Sequence, residues 1–276
     1  MRLKEESILK WYENVLNGCL RTIKFIFVCL IAFMIYQNLF ASILTKKIHI
    51  FIYIVFWAFT AYLFLPWLNR LLTKFYVPDY FIGRTKTNDG LLGDPINLAF
   101  YGTEKELVAA FKASGWHIAD PLSIRSSWKI TLSSILGKSY PTAPVSSLFL
   151  FSRKQDLAFE MEIDGNPRKR HHIRIWQTPK DWHLPGGKTA DWLGAATYDK
   201  HVGLSLFTGQ ITHKIDANVD HERDFVIDCL KKGTFVKAIE VVPHFTSSYH
   251  ARNGGGDRIH TDGALPFITI KNEKSS

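Results

Sequence analysis

Histidines and carboxylates crowd one part of the chain, between Gln155 and Asp224, where six of the eleven histidines lie. Imidazole and carboxylate groups are ligands that zinc, iron and manganese accept. A divalent metal of this kind is therefore a candidate cofactor, with candidate ligands His171, His172, Asp199, His213 and Asp216, and Asp220 as a further carboxylate. Their spacing matches no established ligand signature, because the chain has neither an H-E-x-x-H motif nor paired cysteines.

Arginines in the same region offer a second kind of chemistry, the binding of an anion. A guanidinium group can grip a phosphate or a lipid head group with two N–H donors at once. The candidate anion-binding residues are Arg168, Arg170, His172 and Arg174, within a basic run that also contains Lys169 and His171. The alternative is that this run forms a solvated hairpin turn. The glycine-rich stretch 253–257 could also present backbone N–H groups to an anion, although a plain flexible loop is the commoner structure.

Two predicted strands position these side chains. Apolar residues alternate with polar ones over 157–163, residues 164–167 have turn chemistry, and a second strand is predicted over about 169–177. A simple hairpin register pairs Glu160 with His172 and Glu162 with Arg170, with Arg174 and Trp176 on the same side. In the alternative to a metal site, this face is a solvated ladder of charges, and Asp216 and Asp220 cap a helix.

The remaining pattern predicts an α+β fold with an antiparallel β-sheet covered by at least two helices. One helix begins at Thr103, where Glu106 completes a capping box, and Gly115 ends it. A second runs from about Asp220 to Lys232, followed by Gly233 in the left-handed position that ends many helices. Further strands are predicted over 145–151, 194–198, 202–207, 210–215, 235–242 and 265–271.

Two long apolar runs precede this domain, over 25–45 and 48–68, with only Lys46 and Lys47 between them. Each is long enough to cross about 30 Å of hydrocarbon as a helix, so the pair predicts two transmembrane helices in a hairpin. Lysines and arginines are more numerous on the outer flanks than in the connecting loop, which predicts that both termini are cytoplasmic. The chain would then be an integral protein of the inner (cytoplasmic) membrane.

These patterns divide the chain into five parts. They are a cytoplasmic N-terminal segment (1–24), a transmembrane helical hairpin (25–72), a linker (73–95), a C-terminal α+β domain (96–271) and a tail (272–276). Three cysteines make no disulfide framework, and no serine or cysteine stands in a nucleophile motif. The net charge of +9 favours acidic partners, but no nucleic-acid motif accompanies it, so no nucleic acid is expected.

Several sequence blocks, in order, resemble the LssY C-terminal domain family. They are DPINLAFYG (94–102), ADPLSIRSS (119–127), YPTAPVSSLFLF (140–151), QDLAFE (155–160), RKRHHIRIW (168–176), WLGAATYD (192–199), VGLS (202–205), DHERD (220–224), NGGGD (253–257) and TDG (261–263). The resemblance implies a domain that follows membrane-embedded segments, and it implies no established reaction. Some proteins with this domain resemble lipid-phosphate phosphatases, but this chain has no PSGH-type motif and a predicted anchor of only two spans.

Together these features predict a membrane-anchored LssY-like domain that acts as a binding or interaction module at the cytoplasmic membrane surface and recognises an anionic ligand. The expected partners are the lipid bilayer itself and an anionic lipid or a membrane protein. The alternative is a metal-dependent hydrolase that acts on a phosphorylated lipid or envelope precursor.

Overall fold

A computed structural model of the protein describes residues 33, 36–37, 50–77, 81–121, 123, 126, 139–246 and 251–271. The chain divides into two compact units, Met1–Leu65 and Pro66–Ser276. Helix α1 covers Ile50–Phe59, a π-helical turn covers Thr60–Phe64, and helix α2 covers Leu65–Tyr76. In the π-helical turn the N–H of Leu65 donates to the carbonyl of Thr60, just before Pro66, which has no N–H to donate.

Within the described residues, one helix, Tyr53–Phe75, is long enough and apolar enough to cross a membrane. It covers residues 53–68 of the second predicted apolar run and continues beyond it. Only 11 % of its most apolar stretch is buried. The first predicted run, 25–45, lies outside the described residues apart from three helical positions, 33, 36 and 37. The structure therefore supports one candidate span, and the first span of the predicted hairpin, over 25–45, is not confirmed.

The domain contains twelve described strands. They are β1 Arg84–Thr87, β2 Leu92–Pro95, β3 Leu98–Tyr101, β4 His117–Ile118, β5 Leu148–Leu150, β6 Arg153–Lys154, β7 Leu157–Ile163, β8 Asn166–Gln177, β9 Trp192–Leu204, β10 Ile211–Ile215, β11 Val236–Val242 and β12 Leu265–Ile270. They form a large sheet in the order β11-β12-β3-β9-β8-β7-β4, with β10 beside β9, and a small sheet in the order β2-β1-β5-β6.

The sheet differs from the prediction in two ways. It is mixed, because β12 pairs with β3 in parallel while its other described pairs are antiparallel. The predicted strands 194–198 and 202–207 are one strand, β9, with an irregularity where β10 begins to pair with it. A bulge bends a long strand but leaves it continuous. The polar residues between the two apolar runs therefore did not mark the end of a strand.

Two helices cover one face of the large sheet, as predicted. Helix α3 spans Glu104–Ala113, and helix α4 spans Val219–Lys232. The predicted capping box is present in α3, since the Thr103 hydroxyl accepts from the Glu106 N–H and the Glu106 carboxylate accepts from the Thr103 N–H. Both helices bury apolar stripes against Phe159, Ile173 and Ile175, among other residues of the sheet.

The residue after α4 is a further difference. Gly233 has an ordinary helical φ of −72°, and Thr234 takes the left-handed position with a φ of 61°. Gly233 is required for space instead, because a Cβ there would lie 2.6 Å from the Phe235 ring and 2.9 Å from the Ser114 hydroxyl. Gly115, after α3, has the predicted left-handed φ of 88°.

The small sheet covers part of the opposite face. Its strands β1 and β2 lie in the segment 73–95, which the sequence assigned to a linker. Glycines and Pro95 suggested irregular chain, but every residue of β2 is buried. A second apolar core, which includes Leu148, Trp176, Leu193 and Phe267, joins the two sheets. The polar side chains of β8 lie on this same face of the large sheet.

Candidate functional site

Strand β8 separates its side chains by alternation. Ile173 and Ile175 point to the helix-covered face, so Arg170, His172 and Arg174 point to the face that carries the small sheet. The pairing of β7 with β8 places Glu160 opposite His172 and Glu162 opposite Arg170, which confirms the predicted register. Strand β9 then brings Asp199 opposite Arg170 on the other side of β8.

These polar side chains are buried. The exposed fraction is 0 % for Glu160, 3 % for Arg170, 2 % for His172, 4 % for Arg174 and 2 % for Asp199. The alternative of a solvated charge ladder is therefore wrong, because the small sheet and neighbouring loops lie over this face. Charges held away from water must find partners inside the protein.

Arg170 is held between two carboxyl groups. Its Nε donates to Oδ2 of Asp199 at 2.9 Å, and its Nη1 donates to Oε2 of Glu160 at 2.7 Å. Arg174 is held by the small-sheet side of the domain, where it donates to Oδ2 of Asp94 at 3.1 Å and to the Ser146 carbonyl at 2.9 Å. Both guanidinium groups are thus fixed in orientation.

A third guanidinium group completes the arrangement. Arg84 of β1 is buried, donates to the Gly93 carbonyl at 3.0 Å and interacts electrostatically with Asp94. The Nη2 of Arg84 donates to the Arg252 carbonyl at 3.0 Å, which connects Arg84 to the loop 251–257. We refer to the six ionisable groups together as the charged cluster, whose members are Arg84, Asp94, Glu160, Arg170, Arg174 and Asp199.

Burial and charge shift the protonation of the cluster's carboxyl groups in different directions. Burial raises the pKa of Glu160 to about 8, despite the attraction of Arg170, so this group is protonated at neutral pH. Burial also raises the pKa of Asp94, against the attraction of Arg174 and Arg84. Burial alone would raise the pKa of Asp199 too, but its interactions with His172, Arg170 and His213 outweigh burial and lower this pKa to about 2.

His172 contributes no charge to this balance at neutral pH. Its burial lowers its pKa well below the ordinary histidine value, against the attraction of Asp199. Arg170, which is hydrogen-bonded to Asp199, is therefore a cation that favours the ionised form of Asp199 at pH 7. The Nε2 atom of His172 is hydrogen-bonded to the Thr197 hydroxyl at 2.8 Å, and its Nδ1 lies 3.5 Å from Oδ2 of Asp199 without a hydrogen bond.

A cavity of about 1050 Å³ lies against the charged cluster. Asp94, Arg170, His172, Arg174 and Asp199 lie along its inner wall. Its other walls come from four chain segments, namely the turn between β1 and β2, residues 144–149, the hairpin between β9 and β10, and the loop that contains Asn253, Gly254 and Gly255. A concave site with buried ionisable groups of shifted pKa is typical of a ligand-binding or catalytic site.

The glycine-rich loop is an ordered wall of this cavity. The side-chain oxygen of Asn253 accepts from the N–H groups of Gly255 at 3.0 Å and Asp257 at 2.9 Å, while its amide lies 3.4 Å from Asp94. A Cβ on Gly254 would lie 2.4 Å from the Thr87 methyl group. Glycine therefore lets this loop approach β1 closely. The loop is held by these hydrogen bonds, so the prediction of a plain flexible loop is wrong.

The structure separates the predicted metal ligands into two groups. His172, Asp199 and His213 line the cavity. His171 lies on the opposite face of β8, where its Nδ1 is 2.6 Å from Glu222 and its ring stacks on Phe225. Asp216 forms an ion pair with Lys200 at 2.8 Å and accepts from the Asn218 N–H, close to the start of α4. Within the described residues, no three His, Cys, Asp or Glu side chains are grouped as a metal would require.

The predicted anion-binding residues fare differently. Arg170, His172 and Arg174 share the cavity wall, while the side chain of Arg168 lies outside the described residues. Asp220 accepts from the Thr261 hydroxyl and the Asp262 N–H and pairs with Arg223, so it joins α4 to the loop before β12. The N-cap of α4 is Asn218, whose side chain accepts from the Asp220 N–H, so the prediction that Asp216 and Asp220 cap this helix is wrong.

Sequence reasoning missed Arg84 and Asp94 as site residues, because both lie in the segment assigned to a linker. The available signal for Asp94 was the DPINLAFYG block (94–102), which served only to support the family resemblance. The family comparison now bears directly on that block. The chain matches the family described as LssY C-terminus over residues 74–265.

The chain belongs to this family. In the other two comparisons, no curated protein and no solved structure matches the chain. The match begins at residue 74, inside the predicted linker, and ends at the first residue of β12. The LssY C-terminal domain therefore includes the small sheet, both covering helices and all six members of the charged cluster.

Proposed function

We propose that this LssY C-terminal domain binds an anionic ligand of the phosphate class in the cavity, as a binding module at the cytoplasmic surface of the membrane. The observation that carries the proposal is the charged cluster, four of whose members, Asp94, Arg170, Arg174 and Asp199, line the inner wall of the cavity. Within the cluster, Arg170 and Arg174 on the cavity wall and Arg84 beside Asp94 supply three guanidinium groups to three carboxyl groups. Guanidinium groups keep their proton in proteins.

The balance of charge in the cluster is positive at neutral pH. Because the pKa of Glu160 is raised to about 8 by burial, Glu160 adds no negative charge at pH 7. Asp94 and Asp199 then face three cations, and an excess of positive charge persists whether or not Asp94 is ionised. An anion that enters the cavity would offset this excess in a medium that screens charge weakly.

The geometry of the cavity supports the same proposal. Its volume of about 1050 Å³ exceeds what one phosphate group fills, so it suits an anionic group attached to a larger polar body. Hydroxyl and amide groups, including those of Ser146, Thr212 and Asn253, supply further hydrogen-bonding groups on its walls. The carboxyl groups of the cluster hold Arg170 and Arg174 in place before any ligand arrives, which lowers the entropic cost of binding.

The membrane location rests on the helix Tyr53–Phe75 and on the charge distribution of the flanking sequence. The bilayer, with an anionic lipid or a membrane protein as the specific partner, is the proposed setting. A metal-dependent hydrolase that acts on a phosphorylated lipid or envelope precursor is the alternative, but His172, Asp199 and His213 on the cavity wall are not grouped as a metal ion would require. The first experiment distinguishes the two.

The test uses the full chain purified in detergent, with inorganic phosphate as the probe and isothermal titration as the measurement. Lys154 is an exposed cation at the edge of the cavity, and Lys169 is an exposed cation on β8 that does not line it. We expect saturable binding that Lys154→Gln weakens about tenfold, as expected for loss of one charge-assisted contact. Lys169→Gln is the matched control and should bind as the unmodified chain does.

Two results would contradict the proposal. They are the absence of saturable phosphate binding and an equal loss of binding in both lysine variants, which would indicate non-specific attraction. A chain that releases phosphate from a phosphorylated lipid only when zinc, iron or manganese is added would instead favour the hydrolase.

A further inference from the structure

The turn between β9 and β10 exposes several large apolar side chains to solvent. The exposed fraction is 58 % for Leu204, 65 % for Leu206, 39 % for Phe207 and 58 % for Ile211. We call these four residues the apolar rim. Scattered apolar residues on a surface need no explanation, but four within one hairpin tip form a patch of the kind that contacts a membrane or a partner.

The backbone that carries the apolar rim is held firmly. The N–H of Ser205 donates to the Gln210 carbonyl at 2.7 Å, and the N–H of Leu206 donates to the Gly255 carbonyl at 3.0 Å. A Cβ on Gly256 would lie 2.2 Å from the Cβ of Leu206, so the tip is packed closely on the glycine-rich loop. The exposure of the rim is therefore a property of an ordered turn.

Helix α2 lies beside the apolar rim. The side-chain amide of Asn69 donates to the Phe207 carbonyl at 3.5 Å. Four residues along the helix, the buried Thr73 lies against the turn between β1 and β2, where a Cβ on Gly90 would approach its hydroxyl to 2.4 Å. Both of these turns also line the cavity.

The same part of α2 presents its own apolar surface. Leu71 is 42 % exposed, Leu72 46 % and Phe75 83 %, and all three lie in the last turns of the helix that is suited to crossing a membrane. The apolar rim therefore lies beside a helix with exposed apolar side chains that are suited to contact with lipid. Ile211 belongs both to the rim and to the cavity wall, so the cavity opens beside this surface.

We infer that the apolar rim inserts into the interfacial region of the membrane leaflet next to α2, and that the cavity takes the anionic head group of a lipid from that leaflet. This inference rests on the proposed function and names the source of its ligand. An amphipathic surface that inserts its apolar side about 5–10 Å into a leaflet places neighbouring polar groups at the level of the head groups. The charged cluster and Lys154 would then meet a head group while the acyl chains stay in the bilayer.

The first test measures contact between the rim and lipid. The full chain, with Cys19, Cys29 and Cys229 replaced by alanine, receives a single fluorescent label at Leu206→Cys or, as the control, at Val241→Cys on β11. Val241 is 54 % exposed, which makes the two positions similar in exposure. In vesicles that contain brominated phosphatidylglycerol and phosphatidylcholine, we expect strong quenching at position 206 and little at position 241.

Equal quenching at the two positions overturns the insertion. A label at position 206 that responds to protein density rather than to brominated lipid also overturns it, because the rim would then bind a second copy of the chain.

The second test separates this inference from the proposed function. The double variant Leu206→Ser with Phe207→Ser should bind inorganic phosphate in detergent as the unmodified chain does, but capture a fluorescent phosphorylated lipid from vesicles roughly tenfold less well. Val241→Ser should alter neither measurement. Unchanged lipid capture by the double variant contradicts the inference alone. Failure of the unmodified chain to bind phosphate contradicts the proposed function and, with it, the capture of a head group, while the quenching measurement still tests the insertion of the rim.

Discussion

Burial of Arg170 between Asp199 and Glu160 is costly for the fold. Removing a charged group from water costs several kcal/mol even after the protein relaxes around it, and a packed apolar group of similar size would often be more stable. Burial raises the pKa of Glu160 to about 8, so Glu160 is buried as a neutral group at pH 7 and adds no second charge to be removed from water. A costly group on a cavity wall is easier to understand as part of a binding site than as support for the sheet.

The first residue-scale prediction concerns the stability of the chain as a function of pH. Glu160 has a folded-state pKa of about 8 against an ordinary value of 4.5, so the folded state holds a proton that the unfolded state releases between these values. The free energy of unfolding of the unmodified chain should therefore fall, relative to that of Glu160→Gln, by roughly 1 kcal/mol per pH unit from pH 4.5 to 8.

Urea unfolding of the full chain in detergent, repeated across this pH range, measures the difference. The stabilising contribution of the Glu160 proton is complete below pH 4.5 and is lost as pH rises through about 8. Glu104→Gln, an exposed substitution in the first turn of α3, accounts for the general effect of removing a glutamate. A constant difference between the unmodified chain and Glu160→Gln would show that Glu160 is ionised in the folded protein.

At the scale of elements, β8 is the part of the chain that joins fold and site. Alternation gives one face of the strand to the apolar core under the helices and the other to the charged cluster. A shift of register by one residue would exchange the two faces, so the burial of Ile173 and Ile175 also fixes where Arg170, His172 and Arg174 point.

The element-scale prediction concerns the end of α4. Gly233→Ala should lower the free energy of unfolding by about 1–3 kcal/mol, because its methyl group would overlap the Phe235 ring and the Ser114 hydroxyl. In a chain that also carries Phe235→Leu, the cost of Gly233→Ala should be smaller, because the smaller side chain leaves room for the methyl group. Thermal or urea unfolding of the four chains measures this coupling.

Gly115→Ala provides the comparison. Its φ of 88° makes any other residue strained, at a cost of about 1 kcal/mol or more, and only the end of the Met161 side chain lies near its missing Cβ. Phe235→Leu should leave that cost unchanged. If Gly233→Ala costs the same with either residue at position 235, steric overlap with the ring is not the reason for this glycine.

Elements also differ in how far the sequence predicts them. The β7–β8 register, the capping box of α3 and the two covering helices follow from patterns within about ten neighbouring residues. Strands β1 and β2 were missed because they are only four residues each, and because β2 contains Gly93, Asp94 and Pro95, which are typical of turns. Their identity as strands depends on pairing with each other and with β5, which is distant in the chain.

For the whole molecule, the remaining question is its arrangement across the membrane. Both termini are predicted to be cytoplasmic because the Lys and Arg residues lie mainly outside the two apolar runs. A green fluorescent protein fused after Ser276 should therefore fluoresce, and alkaline phosphatase fused there should be inactive. The same reporters fused after Lys47, between the runs, should give the opposite results.

This pair of fusions checks the second span directly. Active alkaline phosphatase after Ser276 would place the LssY C-terminal domain outside the cytoplasm. Identical behaviour of the fusions at Lys47 and Ser276 would show that the helix Tyr53–Phe75 does not cross the membrane between them.

The sequence by itself determined the family, the α+β class, the face of β8 that carries Arg170, His172 and Arg174, and an apolar helix before the domain. These properties are local, because they depend on residue type, period and capping within single elements. The tertiary structure alone decided that this polar face is buried and that Asp94 meets Arg174 across 80 positions of sequence. Those outcomes require the small sheet to fold over the large one, and that contact is made by segments far apart in the chain.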